Sequence, residues 1–265
     1  MSNLETWFWS ILLIGALPAL AVAGALFVRR AVGPEVLERH NEVAGFIYAV
    51  IGVVYAVLLG FTAIIVWEQF RHAQERVERE ANELADLYRD AQVFPPEVRK
   101  TMEARVRAYA RVVVEKEWPA MAQRDSSPEA WEAYNQLWRT YHEFRPRDDH
   151  QRIWYTESLQ RLNALGDHRR DRLLSMGSGV PGVIWAVLLA AGAVTIGFSF
   201  FFGTRSAWSQ GLMVAGLSFT IGVVLLSILA LERPFAGMTR IQPEAFRQLE
   251  DILEVWSRPG AGRSR

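Results

Sequence analysis

The 265-residue sequence contains no cysteine, only two lysines and no excess of either charge, with 29 basic and 29 acidic residues. The missing cysteines exclude disulfides, thiolate metal sites and cysteine nucleophiles. A formal net charge of zero offers no global attraction to a nucleic-acid backbone, so we expect no nucleic-acid partner. Arginine carries nearly all the positive charge, which is typical of a biased genomic base composition and also favours rigid ion pairs between subunits.

Charge is also missing from long parts of the chain. Residues 7–28 and 43–67 contain no charged side chain, and residues 173–231 contain only Arg205. About 20 apolar residues span the hydrocarbon core of a bilayer. Four segments meet this length, at about residues 7–28, 43–67, 182–202 and 207–231. The sequence therefore predicts an all-α membrane protein with four transmembrane helices.

These four helices are expected in two pairs, with a charged helical cytosolic domain inserted between the pairs. The predicted domains are residues 1–67, 68–175 and 176–235, followed in 236–265 by an amphipathic helix and a disordered tail. Apolar residues recur at steps of three and four through the charged domain, which is typical of amphipathic helices. Ser127-Pro128 is expected to start a helix, and Trp118-Pro119 is expected to end one.

Arginines near the predicted membrane ends are distributed unequally between the two sides. Cytoplasmic segments next to membrane helices are enriched in arginine and lysine. We therefore expect both termini and residues 68–175 in the cytoplasm. The poorer side has Arg29, Arg30, Arg39 and Arg205, and the richer side has Arg71, Arg76, Arg79, Arg161, Arg169, Arg170, Arg172, Arg233, Arg240 and Arg247.

Motifs of enzyme chemistry are missing as well. No acid, base or histidine lies within the four predicted membrane helices, which argues against a proton relay or a voltage sensor. No phosphate-binding glycine loop and no histidine pair at metal-ligand spacing occur. Asp148-Asp149-His150 is either a solvated cap at a helix start or a cation site. We predict no catalytic residue, no cofactor and no metal, and hence a protein that is not an enzyme.

The second predicted membrane helix carries a stripe of small and hydroxyl-bearing residues. Hydroxyls inside a bilayer need partners from protein or water. The stripe therefore either lines a narrow pore or marks a close helix contact, where small residues let backbones approach. A pore made by several subunits permits both. The hydroxyl stripe consists of Asn41, Gly45, Tyr48, Gly52, Tyr55, Leu59 and Thr62.

Charged residues flank the predicted helices. Glu42, Glu68, Glu232 and Arg233 lie at helix ends and are candidates for charged rings at the mouths of a pore. The alternative is that they anchor the helix ends in the headgroup region of the bilayer.

Several stretches resemble the bestrophin-like domain family, and the resemblance covers nearly the whole chain. The longest is residues 40–70, which begins HNEVAGFIYAV and ends VWEQF. The others are residues 115–119 (EKEWP), 181–185 (PGVIW), 231–235 (LERPF) and 243–247 (PEAFR).

The resemblance implies an oligomeric ion channel in a bacterial inner membrane. Bestrophins are pentameric anion channels with cytoplasmic termini, and apolar and aromatic side chains of their second helix constrict the pore. By this likeness the partners are the lipid bilayer, a permeant inorganic ion and further copies of the chain. The alternative is a non-conducting scaffold or signalling protein whose cytosolic bundle recruits a partner. The pore-lining candidates are Tyr48, Gly52, Tyr55, Leu59 and Thr62.

Overall fold

The computed structural model describes residues 3–39, 41–237 and 239–257, and these residues form helices and connecting turns without a β-strand. The prediction of an all-α protein is confirmed. Residues 258–265 of the predicted tail lie outside the described residues. In chain order the α-helices are α1 (Asn3–Ser10), α2 (Leu17–Val32), α3 (Pro34–Arg39), α4 (Asn41–Asp90), α5 (Pro96–Val112), α6 (Trp118–Met121), α7 (Pro128–Glu143), α8 (Asp149–Leu174), α9 (Gly182–Ser199), α10 (Ala207–Leu231) and α11 (Glu244–Ser257).

The chain divides into two compact units. The first comprises the described parts of Met1–Phe70, Gly179–Arg233 and Gly237–Thr239. Four helices of the described chain are long and apolar enough to cross a membrane, as predicted. They are the run from α1 to α2, which includes a π-helical turn at Ile11–Ala16, together with α4, α9 and α10.

Small residues let the helices of the first unit approach closely. Helix α10 lies along α2 and along the π-helical turn. A Cβ atom at Gly222 would overlap the carbonyl oxygen of Leu13 in that turn, and one at Gly24 would lie 2.7 Å from the ring of Phe200. Membrane helices associate through such contacts because lipid offers them no hydrophobic driving force.

The second unit comprises the described parts of Arg71–Ser178, Pro234–Ala236 and Arg240–Arg265. Its apolar core includes Leu84, Tyr109, Leu137, Leu162 and Phe246, all fully enclosed. Two of its helices begin at side-chain caps, which satisfy backbone N–H groups that have no partner within the helix. The Ser127 hydroxyl accepts from the N–H of Ala130 at the start of α7, and the Asp148 carboxylate accepts from that of Gln151 at the start of α8.

The helix expected to end at Trp118-Pro119 continues beyond this pair, so that prediction is wrong. Helix α5 widens into a π-helical turn at Val113–Glu117, and α6 extends the path to Met121. Pro119 lies in the first turn of α6. Proline has no N–H for a helical hydrogen bond, and Pro119 lies just after the π-helical turn, where the hydrogen-bond pattern of the helix changes.

Candidate functional site

Within the first unit, helix α4 has a packed face and an exposed face. The packed face carries most of the hydroxyl stripe. The opposite face carries apolar side chains at steps of three and four, so they form one line along the helix. Phe46 is 77% exposed and Val57 is 50% exposed. This apolar stripe consists of Val43, Phe46, Val50, Val53, Val57, Phe61 and Ile64.

Three of the five predicted pore-lining residues are enclosed by their own unit. Tyr55 is 3% exposed, and its hydroxyl lies so near α9 that a Cβ atom at Gly192 would be 2.7 Å away. Leu59 is buried in the same core. The buried Thr62 hydroxyl donates to the Leu58 carbonyl of its own helix at 2.8 Å. At these three positions the burial favours the helix-contact interpretation over the pore interpretation.

The other two predicted pore-lining residues, Tyr48 and Gly52, are only partly buried within their unit. Tyr48 is half-buried, and its ring centroid lies 6.1 Å from that of Phe198 and 5.2 Å from that of Phe202. A Cβ atom at the half-buried Gly52 would meet nothing within 4 Å. Both residues have room for a contact with a neighbouring molecule, and pore lining remains a prediction for them.

The four charged candidates at the helix ends differ in their surroundings. Glu232 accepts from the backbone N–H of Val180 and from the indole N–H of Trp185, each at 3.2 Å, and so secures the start of α9. Glu42 and Glu68 are exposed, and Arg233 is half-exposed. Because its carboxylate is already engaged, Glu232 is poorly suited to an open ring of charge. Its contact joins residues 231–235 to residues 181–185, two of the stretches that resemble the family.

In the second unit, sequence analysis missed a buried network of charged side chains. Arg172 donates to Glu80 from Nε at 2.6 Å and from Nη2 at 3.0 Å. Glu117 accepts from Arg172 at 2.6 Å and from Arg169 at 2.5 Å, one arginine to each carboxylate oxygen. All four side chains are at most 1% exposed. Two acids and two bases balance, so the network carries no net charge.

Aromatic residues add further contacts to this network. The Tyr109 hydroxyl donates to Glu80 at 2.7 Å, and the Arg169 guanidinium lies 4.0 Å from the ring centroid of Trp131. Burial, with the nearby Glu80 carboxylate, raises the pKa of Tyr109 well above its usual value. Burial alone would lower the pKa of Arg172, but Glu80 and Glu117 outweigh it and raise that pKa. Both groups therefore hold their protons at every physiological pH.

The network also brings together stretches that resemble the family. Glu117 and Trp118 belong to residues 115–119, within and after the π-helical turn. The Trp118 indole N–H donates to the carbonyl of Ile241 at 3.1 Å, and its ring packs against Phe235 and Phe246. The motifs therefore mark structural contacts within each unit. Composition could not reveal the buried network, because the sequence does not distinguish a buried arginine from a solvated one.

A second charged cluster lies between the C-terminal end of α4 and the middle of α8. Arg161 contacts four carboxylates, so acids outnumber bases there. Burial raises the pKa of Asp90 and of Glu83, and the attraction of Arg161 offsets only part of that effect. The shortest distances from Arg161 are 2.6 Å to Asp86, 3.1 Å to Asp90, 3.1 Å to Glu157 and 3.8 Å to Glu83.

The candidate cation group Asp148-Asp149-His150 lies at the start of α8. Within residues 3–39, 41–237 and 239–257, no three histidine, aspartate or glutamate side chains converge as ligands for an ion. In the Asp148-Asp149-His150 group, Asp148 caps α8 and Asp149 pairs with Arg152 at 3.1 Å. These contacts favour the cap interpretation of that group.

A family model and solved structures both match this chain. A sequence model of the Bestrophin-like domain matches residues 5–246. The fold is similar to a crystal structure of a point variant of a bacterial bestrophin homologue from Klebsiella pneumoniae, with a TM-score of 0.70 at 13% identity, covering 92% of this chain and 99% of that one. A second crystal structure, of a membrane protein variant, gives a TM-score of 0.71 at 14% identity and covers 95% of this chain and 100% of that one. No curated protein matches the sequence.

Proposed function

This chain belongs to the bestrophin-like family, and we propose that it is one subunit of an oligomeric ion channel whose second membrane helices line a central pore. The observation that carries this proposal is the apolar stripe of α4, which is exposed on the single chain. An exposed, uncharged line of side chains along a membrane helix suits an axis shared by several copies. By family resemblance the oligomer is a pentamer and the permeant ion is an anion.

Symmetry decides which face of α4 is proposed for the pore. Identical subunits around an axis present to it only side chains that the single subunit leaves exposed. Tyr55, Leu59 and Thr62 do not meet this condition, whereas Val50, Val57 and Phe61 of the apolar stripe do. We therefore propose the apolar stripe as the pore lining in place of the hydroxyl stripe. The buried part of the hydroxyl stripe is assigned to helix packing, and Tyr48 and Gly52, on the same side of α4, are placed away from the pore. A hydrophobic constriction of this kind gates by excluding water.

Orientation and arrangement belong to the same proposal. Two membrane helices precede a cytosolic domain at residues 68–175 and two follow it, with both termini in the cytoplasm of a bacterial inner membrane. A single cysteine at Ser126, in a chain that has none of its own, tests this arrangement. It should resist an impermeant thiol reagent in intact cells and react after lysis. Labelling in intact cells would show that Ser126 faces the outside and would contradict the proposed orientation.

Purified protein in planar bilayers tests conduction, and two nearly isosteric substitutions test the lining. Val57→Thr places a hydroxyl on the apolar stripe and is expected to raise single-channel conductance, because a polar constriction holds water more readily. Thr62→Val is the matched control on the packed face, since the Thr62 hydroxyl bonds only within its own helix. We expect its conductance to equal that of the wild type.

Each outcome favours a different account. If Thr62→Val changes the conductance and Val57→Thr does not, the hydroxyl stripe and not the apolar stripe lines the pore. Absence of current across chloride, potassium and sodium gradients, with a folded oligomer verified, would favour the scaffold alternative.

A further inference from the structure

The turn between α9 and α10 is held by an arginine that donates to three neutral acceptors. Arg29 donates from Nη1 to the Thr204 carbonyl at 2.5 Å and to Gln210 Oε1 at 3.0 Å, and from Nη2 to the Arg205 carbonyl at 3.2 Å. The buried Gln210 amide in turn donates to the Phe202 carbonyl at 2.9 Å. The guanidinium is therefore fixed in place, and no carboxylate of residues 3–39, 41–237 and 239–257 forms an ion pair with it.

Further positive charge lies at the same turn. The Arg205 side chain is exposed, and neither it nor Arg29 forms an ion pair in the described chain. Helix α10 begins directly after Ser206, whose hydroxyl caps the N–H of Ser209, and the other N–H groups of a helix N-terminus attract anions. The nearby acids Glu38 and Glu42 are exposed and make no ion pair with either arginine. The turn is thus complementary to an anionic group.

A groove of about 350 Å³ lies beside this charge, within the first unit. Thr204 and Gln210, which bind Arg29, form part of its wall, so one end of the groove is polar. Met213 and Leu217, one turn apart on α10, make the other end apolar. The Tyr48 hydroxyl lies in the wall and makes no hydrogen bond to any described residue. The lining residues are Tyr48, Ser199, Phe202, Thr204, Gln210, Met213, Val214 and Leu217.

We propose that this groove binds one phospholipid of the surrounding bilayer. The phosphate lies against Arg29, Arg205 and the N-terminus of α10, where charge-assisted hydrogen bonds hold it. One acyl chain follows Met213 and Leu217 along α10, and the headgroup end supplies an acceptor for the Tyr48 hydroxyl. An anionic head joined to an apolar tail matches the two ends of the groove. The proposal does not depend on whether the protein conducts ions.

Native mass spectrometry of the full-length protein in detergent tests this site. The probes are palmitoyl-oleoyl phosphatidylglycerol, the matching phosphatidylcholine and the matching diacylglycerol, which lacks the phosphate. We expect one phospholipid per subunit from either phosphate-bearing lipid. Diacylglycerol should bind about tenfold more weakly, the effect of losing a charge-assisted contact. Millimolar inorganic phosphate should not displace the lipid, since it lacks the acyl chain.

Three variants locate the site. Arg205→Gln removes an exposed charge that forms no ion pair in the described chain, and Met213→Trp fills the apolar end. Each should weaken phospholipid binding about tenfold. Arg39→Gln is the matched control, an exposed arginine of the short helix α3 outside the groove, and should bind like the wild type.

Four results would overturn the proposal. They are no retained phospholipid on the wild type, equal binding of diacylglycerol, displacement by inorganic phosphate, and wild-type binding in both Arg205→Gln and Met213→Trp.

Discussion

Arg172 and Glu80 form a bidentate ion pair in complete burial, with Nε 2.6 Å from Oε2 and Nη2 3.0 Å from Oε1. Glu117 accepts a further bond from the same guanidinium at 2.6 Å. A lone buried charge costs several kcal/mol, and a partner repays that cost only when the geometry is good. The stability of the second unit therefore depends on this network being complete.

Arg172→Gln should strongly destabilise the second unit, because it leaves two buried carboxylates without their shared partner. We expect the free energy of unfolding to fall by about 3–5 kcal/mol, the usual effect of breaking a buried pair. Denaturant titration in detergent, followed by circular dichroism, measures it. Arg71→Gln is the control: it breaks the exposed pair with Glu75, and because solvent screens such pairs it should leave the free energy of unfolding nearly unchanged. Equal losses in the two variants would contradict the importance of burial.

Gly222→Ala should loosen the packing of α10 against the first membrane helix. The added Cβ atom would overlap the Leu13 carbonyl, and a backbone atom cannot rotate aside. Overpacking of this kind costs about 1–3 kcal/mol. Gly216→Ala, on the same helix, meets nothing within 4 Å and gains helix propensity. The thermal unfolding midpoint in detergent should therefore fall for Gly222→Ala and hold or rise for Gly216→Ala. The opposite order would contradict the close approach.

The Arg161 cluster predicts a pH-dependent stability. Burial raises the pKa of Glu83 above its value in the unfolded chain, so the folded state binds that proton first as the pH falls. The ionised carboxylate therefore lowers the free energy of unfolding at neutral pH. This destabilisation disappears as the pH falls through the pKa of Glu83 in the folded state. The charged groups that act on Glu83 are Arg161, His168, Asp86 and Glu157.

Glu83→Gln tests this directly, because it removes the charge and keeps the shape. The variant should be more stable than the wild type at pH 7, and the difference should shrink on acidification below about pH 5, where carboxyl groups protonate. Thermal unfolding across this pH range measures the difference. Glu97→Gln, at an 89% exposed side chain, should follow the wild type at every pH. A constant gap between Glu83→Gln and the wild type would refute the linkage.

Glu68→Gln tests the proposed pore mouth. Glu68 is exposed and follows Ile64 of the apolar stripe by four residues, so it lies on the same side of α4. A ring of carboxylates repels anions, and its removal should shift the reversal potential in a chloride gradient toward chloride. Glu97→Gln should leave the reversal potential unchanged. An unchanged value for Glu68→Gln would remove this residue from the ion pathway.

The sequence by itself determined the four membrane helices and the all-α fold. Burying charge in lipid is so costly that an uncharged run of about 20 residues identifies a spanning helix without any tertiary information. Helix starts are equally local, since the caps at Ser127 and Asp148 act on N–H groups three residues away. The family resemblance is also present in the sequence alone, because short sequence motifs carry it.

Only the tertiary structure decided which side of α4 packs. Tyr55 and Thr62 form one stripe whether their hydroxyls face a pore or a neighbouring helix, and the choice depends on α9 and on its Gly192. The same holds for charge. Glu80 and Arg172 are 92 positions apart, and a count of charges treats both as solvated. Periodicity places a side chain on a face of its helix, but burial depends on what the rest of the chain brings against that face.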